Sequence, residues 1–143
     1  MGNNKNMISI ELKNISEIGF TYLYDYDYDS VDEKLLEVGL ELETKFVSEE
    51  NLYNIDLDVS YKHNEDILST LKVRFGFEIR PFDLIIDNEG NEIISRDLLL
   101  NLINIAVGTI RGVLFVKMQN TPLNKYILPI FHISLIENMI KSK

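Results

Sequence analysis

The strongest constraint on this chain is one long apolar helical segment, Leu98 to Met118, placed after four runs in which apolar and polar residues alternate. A period of two belongs to strands with one buried face, and a period near 3.6 belongs to a helix. A single long helix can bury its stripe only against the face those strands share, so it is expected to be the lid of a largely antiparallel sheet. The expected fold is therefore α+β, a four-stranded antiparallel sheet with one long and one short C-terminal helix. A chain of 143 residues fits one domain spanning residues 1–143, long enough to bury roughly 68% of its unfolded surface.

In the first run Ile8, Ile10, Leu12, Ile18, Phe20, Tyr22 and Tyr24 occupy even positions, with a bulge or bend expected at 14–17. The second places Leu36, Val38, Leu40, Leu42 and Phe46 opposite Glu37, Glu41, Glu43 and Lys45. In the third, Tyr53, Ile55, Leu57, Val59 and Tyr61 face inward against Asn54, Asp56, Asp58, Ser60 and Lys62. The fourth sets Leu71, Val73, Phe75, Phe77 and Ile79 against Lys72, Arg74, Glu78 and Arg80, and Pro81 ends it. Polar segments at 48–51 and 63–66 have hairpin length, which predicts a meander of strands two, three and four.

Residues 82–96 read as a connector, and Asp97 is the expected N-cap of the long helix. Leu99, Leu102, Ile103, Ala106, Ile110, Val113 and Leu114 form its buried stripe, while Gly108 and Gly112 suggest close packing against a neighbour. After it, Thr121 to Phe131 reads as an extended crossing bracketed by Pro122 and Pro129. Ser134 and Glu137 have capping-box spacing for a short last helix. Four strands make a layer about 15–20 Å wide, whereas one helix covers about 10 Å. Part of the apolar face is left over for another subunit, the short helix or a ligand.

The net charge of -9 and a pI near 4.7 disfavour nucleic acid and anionic membranes as partners, because the long-range field repels both. Basic or polypeptide partners are favoured. Without cysteine there is no disulfide, thiolate metal site or cysteine nucleophile. No apolar signal stretch precedes the first strand, so a cytoplasmic protein is expected. Asn101, Asn104, Thr109 and Arg111 interrupt the helix too often for membrane insertion.

The most unusual stretch is Tyr22-Leu-Tyr24-Asp-Tyr26-Asp-Tyr28-Asp29. Extended, it sets four tyrosines on one side and three aspartates on the other. That ladder suits adaptable polypeptide binding; equally, Tyr22 and Tyr24 could complete the core while the rest forms an acidic loop. A calcium loop is the weakest reading, since the glycine and distal glutamate are missing. His63 in a turn and His132 after the crossing have no metal or triad spacing and read as surface or interface residues. Arg111 is a binding residue, is paired with a carboxylate or snorkels to an edge, the last two being the commoner cases. The outward row of Glu37, Glu41, Glu43, Asp56 and Asp58 is either the solvated face of the sheet or an acidic docking surface. No phosphate loop, ligand cluster or nucleophile elbow appears, so neither an enzyme nor a cofactor is expected.

The order of four strands, long helix, proline crossing and short helix resembles the SecB protein-export chaperone family. The sequence part of the resemblance lies in Leu98 to Met118, in Gln119-Asn-Thr121-Pro122 and in Ile127-Leu-Pro129-Ile-Phe131. It implies a homo-oligomer, a dimer or tetramer, that holds unfolded polypeptide in an aromatic-lined groove and passes it to the translocase motor SecA. By position Tyr22, Tyr24, Tyr26, Tyr28, Tyr126, Ile127 and Phe131 would line the groove, and Glu41, Glu43, Asp56 and Asp58 would dock the motor. The rival expectation is a SecB-like interaction module outside export, either a toxin-antitoxin chaperone or a subunit of another complex.

Overall fold

The computed structural model describes residues 7–126 and 133–141. Strands β1 (Ser9–Tyr22), β2 (Leu36–Val47), β3 (Leu52–His63) and β4 (Asp66–Arg80) are followed by helices α1 (Arg96–Met118) and α2 (Ile133–Lys141). The sheet is antiparallel throughout, in the order β1-β4-β3-β2. The expected meander is therefore present, with β1 returning to lie beside β4. Both hairpin turns carry an asparagine at φ 54°, Asn51 before β3 and Asn64 before β4, a left-handed backbone that asparagine tolerates well.

The central strands follow the alternation closely. Tyr53, Ile55, Leu57, Val59 and Tyr61 of β3 and Leu71, Val73, Phe75, Phe77 and Ile79 of β4 are all buried. The α1 helix packs across these two strands through Leu102, Ile103, Ala106, Ile110 and Leu114, also buried. Each such side chain contributes about 1.5–3 kcal/mol by leaving water. By length and mean hydropathy, 1.8 over its most apolar window, α1 would suit a membrane span. Here its buried stripe belongs to the core.

The edges differ from the centre, because one helix does not reach them. On β2, Leu36, Val38, Leu40 and Phe46 are only half-buried. On β1, Leu12 is 37% and Ile15 49% exposed. The bulge expected at 14–17 is present as two bulges that bracket this stretch. Register shifts between Leu12 and Asn14 and between Glu17 and Gly19 bring Ile15 opposite Phe75 and Glu17 opposite Val73. Each bulge adds one residue, so the first flips the faces and the second restores them. Ile18 falls in the second bulge and is exposed. Glu17 on the helix side pairs with Lys117 of α1 at 2.6 Å, and that ammonium lies 5.0 Å above the Phe20 ring.

Several local expectations are corrected. The N-cap of α1 is Ser95, whose hydroxyl accepts the Leu98 N–H at 3.2 Å, and Asp97 lies in the first turn. Among the described residues Gly108 and Gly112 pack against nothing; a Cβ at either would meet none of their atoms within 4 Å. Pro122 to Lys125 is a 3-10 turn capped by Thr121, so the crossing does not begin as an extended segment; its remainder lies outside the described residues. The short helix begins at Ile133 and already includes Ser134, which places that serine inside it. An ion pair of 2.6 Å between Arg96 and Glu137 ties the start of α1 to α2.

Candidate polypeptide-binding surface

The tyrosines do not form a ladder. Extended pairing ends at Tyr22, and the following loop turns through 3-10 segments at Tyr28–Ser30 and Glu33–Leu35. The four rings fold into a cluster. Tyr22 and Tyr28 stack at 5.9 Å between centroids, and Tyr24 and Tyr26 meet them edge-on at 6.5 and 5.3 Å, separations at which aromatic pairs attract beyond simple burial. Tyr28 is buried, its hydroxyl donates to the Leu23 carbonyl, and burial, with Tyr22 beside it, pushes its pKa up to about 12. Tyr24 is 86% exposed. The single-sided arrangement expected for Tyr22, Tyr24, Tyr26 and Tyr28 is thus divided: Tyr28 belongs to the core, Tyr24 to solvent, and Tyr22 and Tyr26 offer one face each.

A buried histidine fixes this loop. His63, only 5% exposed, accepts the backbone N–H of Asp32 at Nε2, 3.1 Å away. Its remaining nitrogen, Nδ1, lies 2.9 Å from the Tyr26 hydroxyl, which donates to the Asp66 carboxylate at 3.1 Å. With Nε2 accepting, the neutral ring carries its proton on Nδ1 and donates it to Tyr26. His63 is therefore not the surface turn residue expected from its neighbours. Its position at the end of β3, on the alternating inward register, was the available signal. His132 lies outside the described residues.

The exposed faces of Tyr22, Tyr24 and Tyr26 open onto a depression of about 510 Å³, bounded across from them by Asn120 and Pro122 at the end of α1. The 3-10 turn that follows has a second, much smaller cleft on its other flank, bordered by Tyr61, Arg111, Asn124 and Tyr126. Here the Tyr61 hydroxyl donates to the Tyr126 carbonyl at 3.0 Å, and burial pushes its pKa up to about 12. Tyr126 thus borders the same turn as the tyrosine cluster. Ile127 and Phe131 lie outside the described residues.

On the opposite face of the sheet the charges are ordered by register. Asp56 and Arg74 are cross-strand partners joined by two hydrogen bonds of 2.8 and 2.9 Å, the fork geometry in which arginine binds carboxylates most strongly. Asp58 faces Lys72 on β4 and Glu41 on β2. Burial and then Glu41 raise its pKa, against the effect of Lys72. The predicted acidic row is therefore uneven. Each aspartate of β3 has a basic neighbour on β4, while Glu41 and Glu43 on edge strand β2 make no ion pair among the described residues. Among the described residues no cluster of three acidic or histidine side chains could hold a metal ion.

No protein-family model, curated protein or solved structure matches this chain.

Proposed function

We propose that this protein binds extended or unfolded polypeptide, as a cytoplasmic, homo-oligomeric chaperone similar to the SecB family. The observation that carries the reading is the incomplete cover of the sheet. Leu12 and Ile15 stay exposed on the helix side of β1, and a depression walled by tyrosine faces lies beside the end of α1. Monomeric domains seldom leave contiguous apolar surface open without a partner to cover it. Tyrosines supply large contact area at low rotamer cost and tolerate varied sequences, which fits many clients. Transfer of clients to a motor such as SecA is part of the same reading, with Glu41 and Glu43 as the carboxylates left free for it.

The test is suppression of aggregation of a chemically unfolded model protein, with its folded form as control. The wild-type protein should bind the unfolded form only. A Tyr22→Ser/Tyr24→Ser variant should bind at least tenfold more weakly, since anchors of this kind contribute on the order of 1–2 kcal/mol each. Tyr28→Ser is unsuitable as a binding probe, because that buried ring supports the fold. Failure of the wild-type protein to bind any unfolded client, while it co-purifies with one folded partner, would replace this reading with the dedicated interaction module.

A further inference from the structure

We propose that the free edge of β2 takes an extended segment of the bound polypeptide as an added antiparallel strand, and that it favours segments in which basic and apolar residues alternate. The inference rests on the polypeptide-binding reading and adds to it a second contact, apart from the tyrosine faces, with its own chemical preference.

The two edges of the sheet are built differently. β1 is interrupted by two register shifts against β4, and bulges of this kind blunt an edge against further pairing. β2 pairs with β3 at every residue from Leu36 to Val47 without a shift. It contains no proline, and its one lysine, Lys45, lies near its end. Among the described residues β3 is its only strand partner. Two bonds show which of its backbone groups are free. The Phe46 N–H donates to the Glu92 carboxylate at 3.3 Å and the Leu36 N–H to the Glu33 carbonyl, so both point away from β3. Backbone groups reverse direction at each residue of a strand, and the even positions between these two therefore also turn N–H and C=O outward. At Val38 and Leu40 these groups have no partner among the described residues, and both residues are only half-buried. A strand laid along them makes the same ladder that β3 makes on the other side.

Charge decides what can lie there. Glu37, Glu41 and Glu43 alternate with the even positions on the outer face, and all three are exposed. A second copy of β2 is a poor occupant, because antiparallel pairing through the even positions sets this carboxylate row against itself, and like charges directly opposite are destabilising. Within the sheet Glu37 faces Lys62, whereas Glu41 faces Asp58 and Glu43 faces Asp56. Burial first and Glu41 second raise the pKa of Asp58, so the charge of Glu41 is felt across its rung. Asp56 and Asp58 have Arg74 and Lys72 on their β4 side. Glu41 and Glu43 have no ion-pair partner among the described residues. Lysine or arginine side chains on an added strand supply the missing cations on the outer face. The apolar residues between them then fall on the inner face beside Val38 and Leu40, where cross-strand apolar pairs add to the ladder.

A fluorescent peptide of alternating lysine and valine, compared by anisotropy with one carrying glutamate in place of lysine, provides the test. The wild-type protein should bind the lysine peptide about tenfold more tightly. N-methylation of its valines, whose N–H groups turn toward β2 in an antiparallel pair, should weaken binding by about tenfold. N-methylation of its lysines should leave binding nearly unchanged. Amide hydrogen exchange should slow at Val38 and Leu40 when the lysine peptide binds, while Gly39 and Glu41, turned toward β3, are protected throughout. Glu41→Lys should reduce the preference for lysine. Equal binding of the lysine and glutamate peptides overturns the proposal. So does indifference to both N-methylations, which marks mere attraction to a protein of net charge -9, and so does new protection that spares Val38 and Leu40. If an unfolded client binds and the lysine peptide does not, the role of the edge fails and polypeptide binding stands. If neither binds, the underlying reading fails and the proposal with it. Should Glu41→Lys not fold, the N-methylated peptides and the exchange pattern decide without any variant.

Discussion

His63 Nε2 accepts the backbone N–H of Asp32, which couples the end of β3 to a loop 31 residues earlier in sequence. Through Nδ1 the same ring reaches Tyr26 and, beyond it, Asp66 at the start of β4. One side chain thereby positions the aromatic cluster.

His63→Phe should therefore release the loop spanning residues 23–35. The apolar volume is kept, but the Asp32 N–H and the Tyr26 hydroxyl lose their partner, a cost of about 1–3 kcal/mol. Urea unfolding measures the loss. Faster proteolysis within 23–35, with α1 still protected, would distinguish release of the loop from global destabilisation. Unchanged stability and cleavage would show that the loop is held by other contacts.

On the outer face, Glu41→Lys and Asp56→Lys should behave differently although both reverse a surface carboxylate. Glu41 makes no ion pair among the described residues and should change stability by less than about 0.5 kcal/mol. Reversal at Asp56 places a cation against Arg74 and breaks both arms of the fork, which should cost about 1–3 kcal/mol. Equal effects would refute this register-based division of the face.

Asp58 yields a prediction about pH. Its carboxyl pKa is raised, first by burial and then by Glu41, so between the unfolded and folded pKa values the native state binds more protons. Stability contributed by this group therefore falls as pH rises through that window and stays lower above it. Asp58→Asn should be the more stable protein at pH 7, by about 0.5 kcal/mol. That advantage should vanish as pH falls below the ordinary carboxylate range. Chemical denaturation across pH 3–7 would reveal a constant difference if the shift is absent.

The outer stripe of α1, where Ile105, Phe115 and Val116 lie exposed, should be covered by a second copy. Light scattering at micromolar concentration should give a multiple of 16.6 kDa. Val116→Lys with Phe115→Ser should lower that mass without loss of helical circular dichroism. A monomer in the wild-type protein would refute the oligomer.

Alternation of side chains determined the four strands, their common inner face and the helix that caps them. That information is local: burial of one face forces a period of two wherever a strand forms, and β3 obeys it residue by residue while β4 does so from Leu71 to Ile79, the buried Gly76 apart. Capping was only partly legible, since Ser95 and Asp97 are both competent caps and the backbone geometry at the entry to α1 selects Ser95. Tertiary structure decided the rest. The two bulges of β1 depend on matching its length to β4, so no count along β1 alone could move Ile15 and Glu17 to the helix side. The burial of Tyr28 and the capture of Asp32 by His63 each depend on residues brought together by the packing. Such contacts follow from how the elements pack, and a one-dimensional pattern carries no record of them.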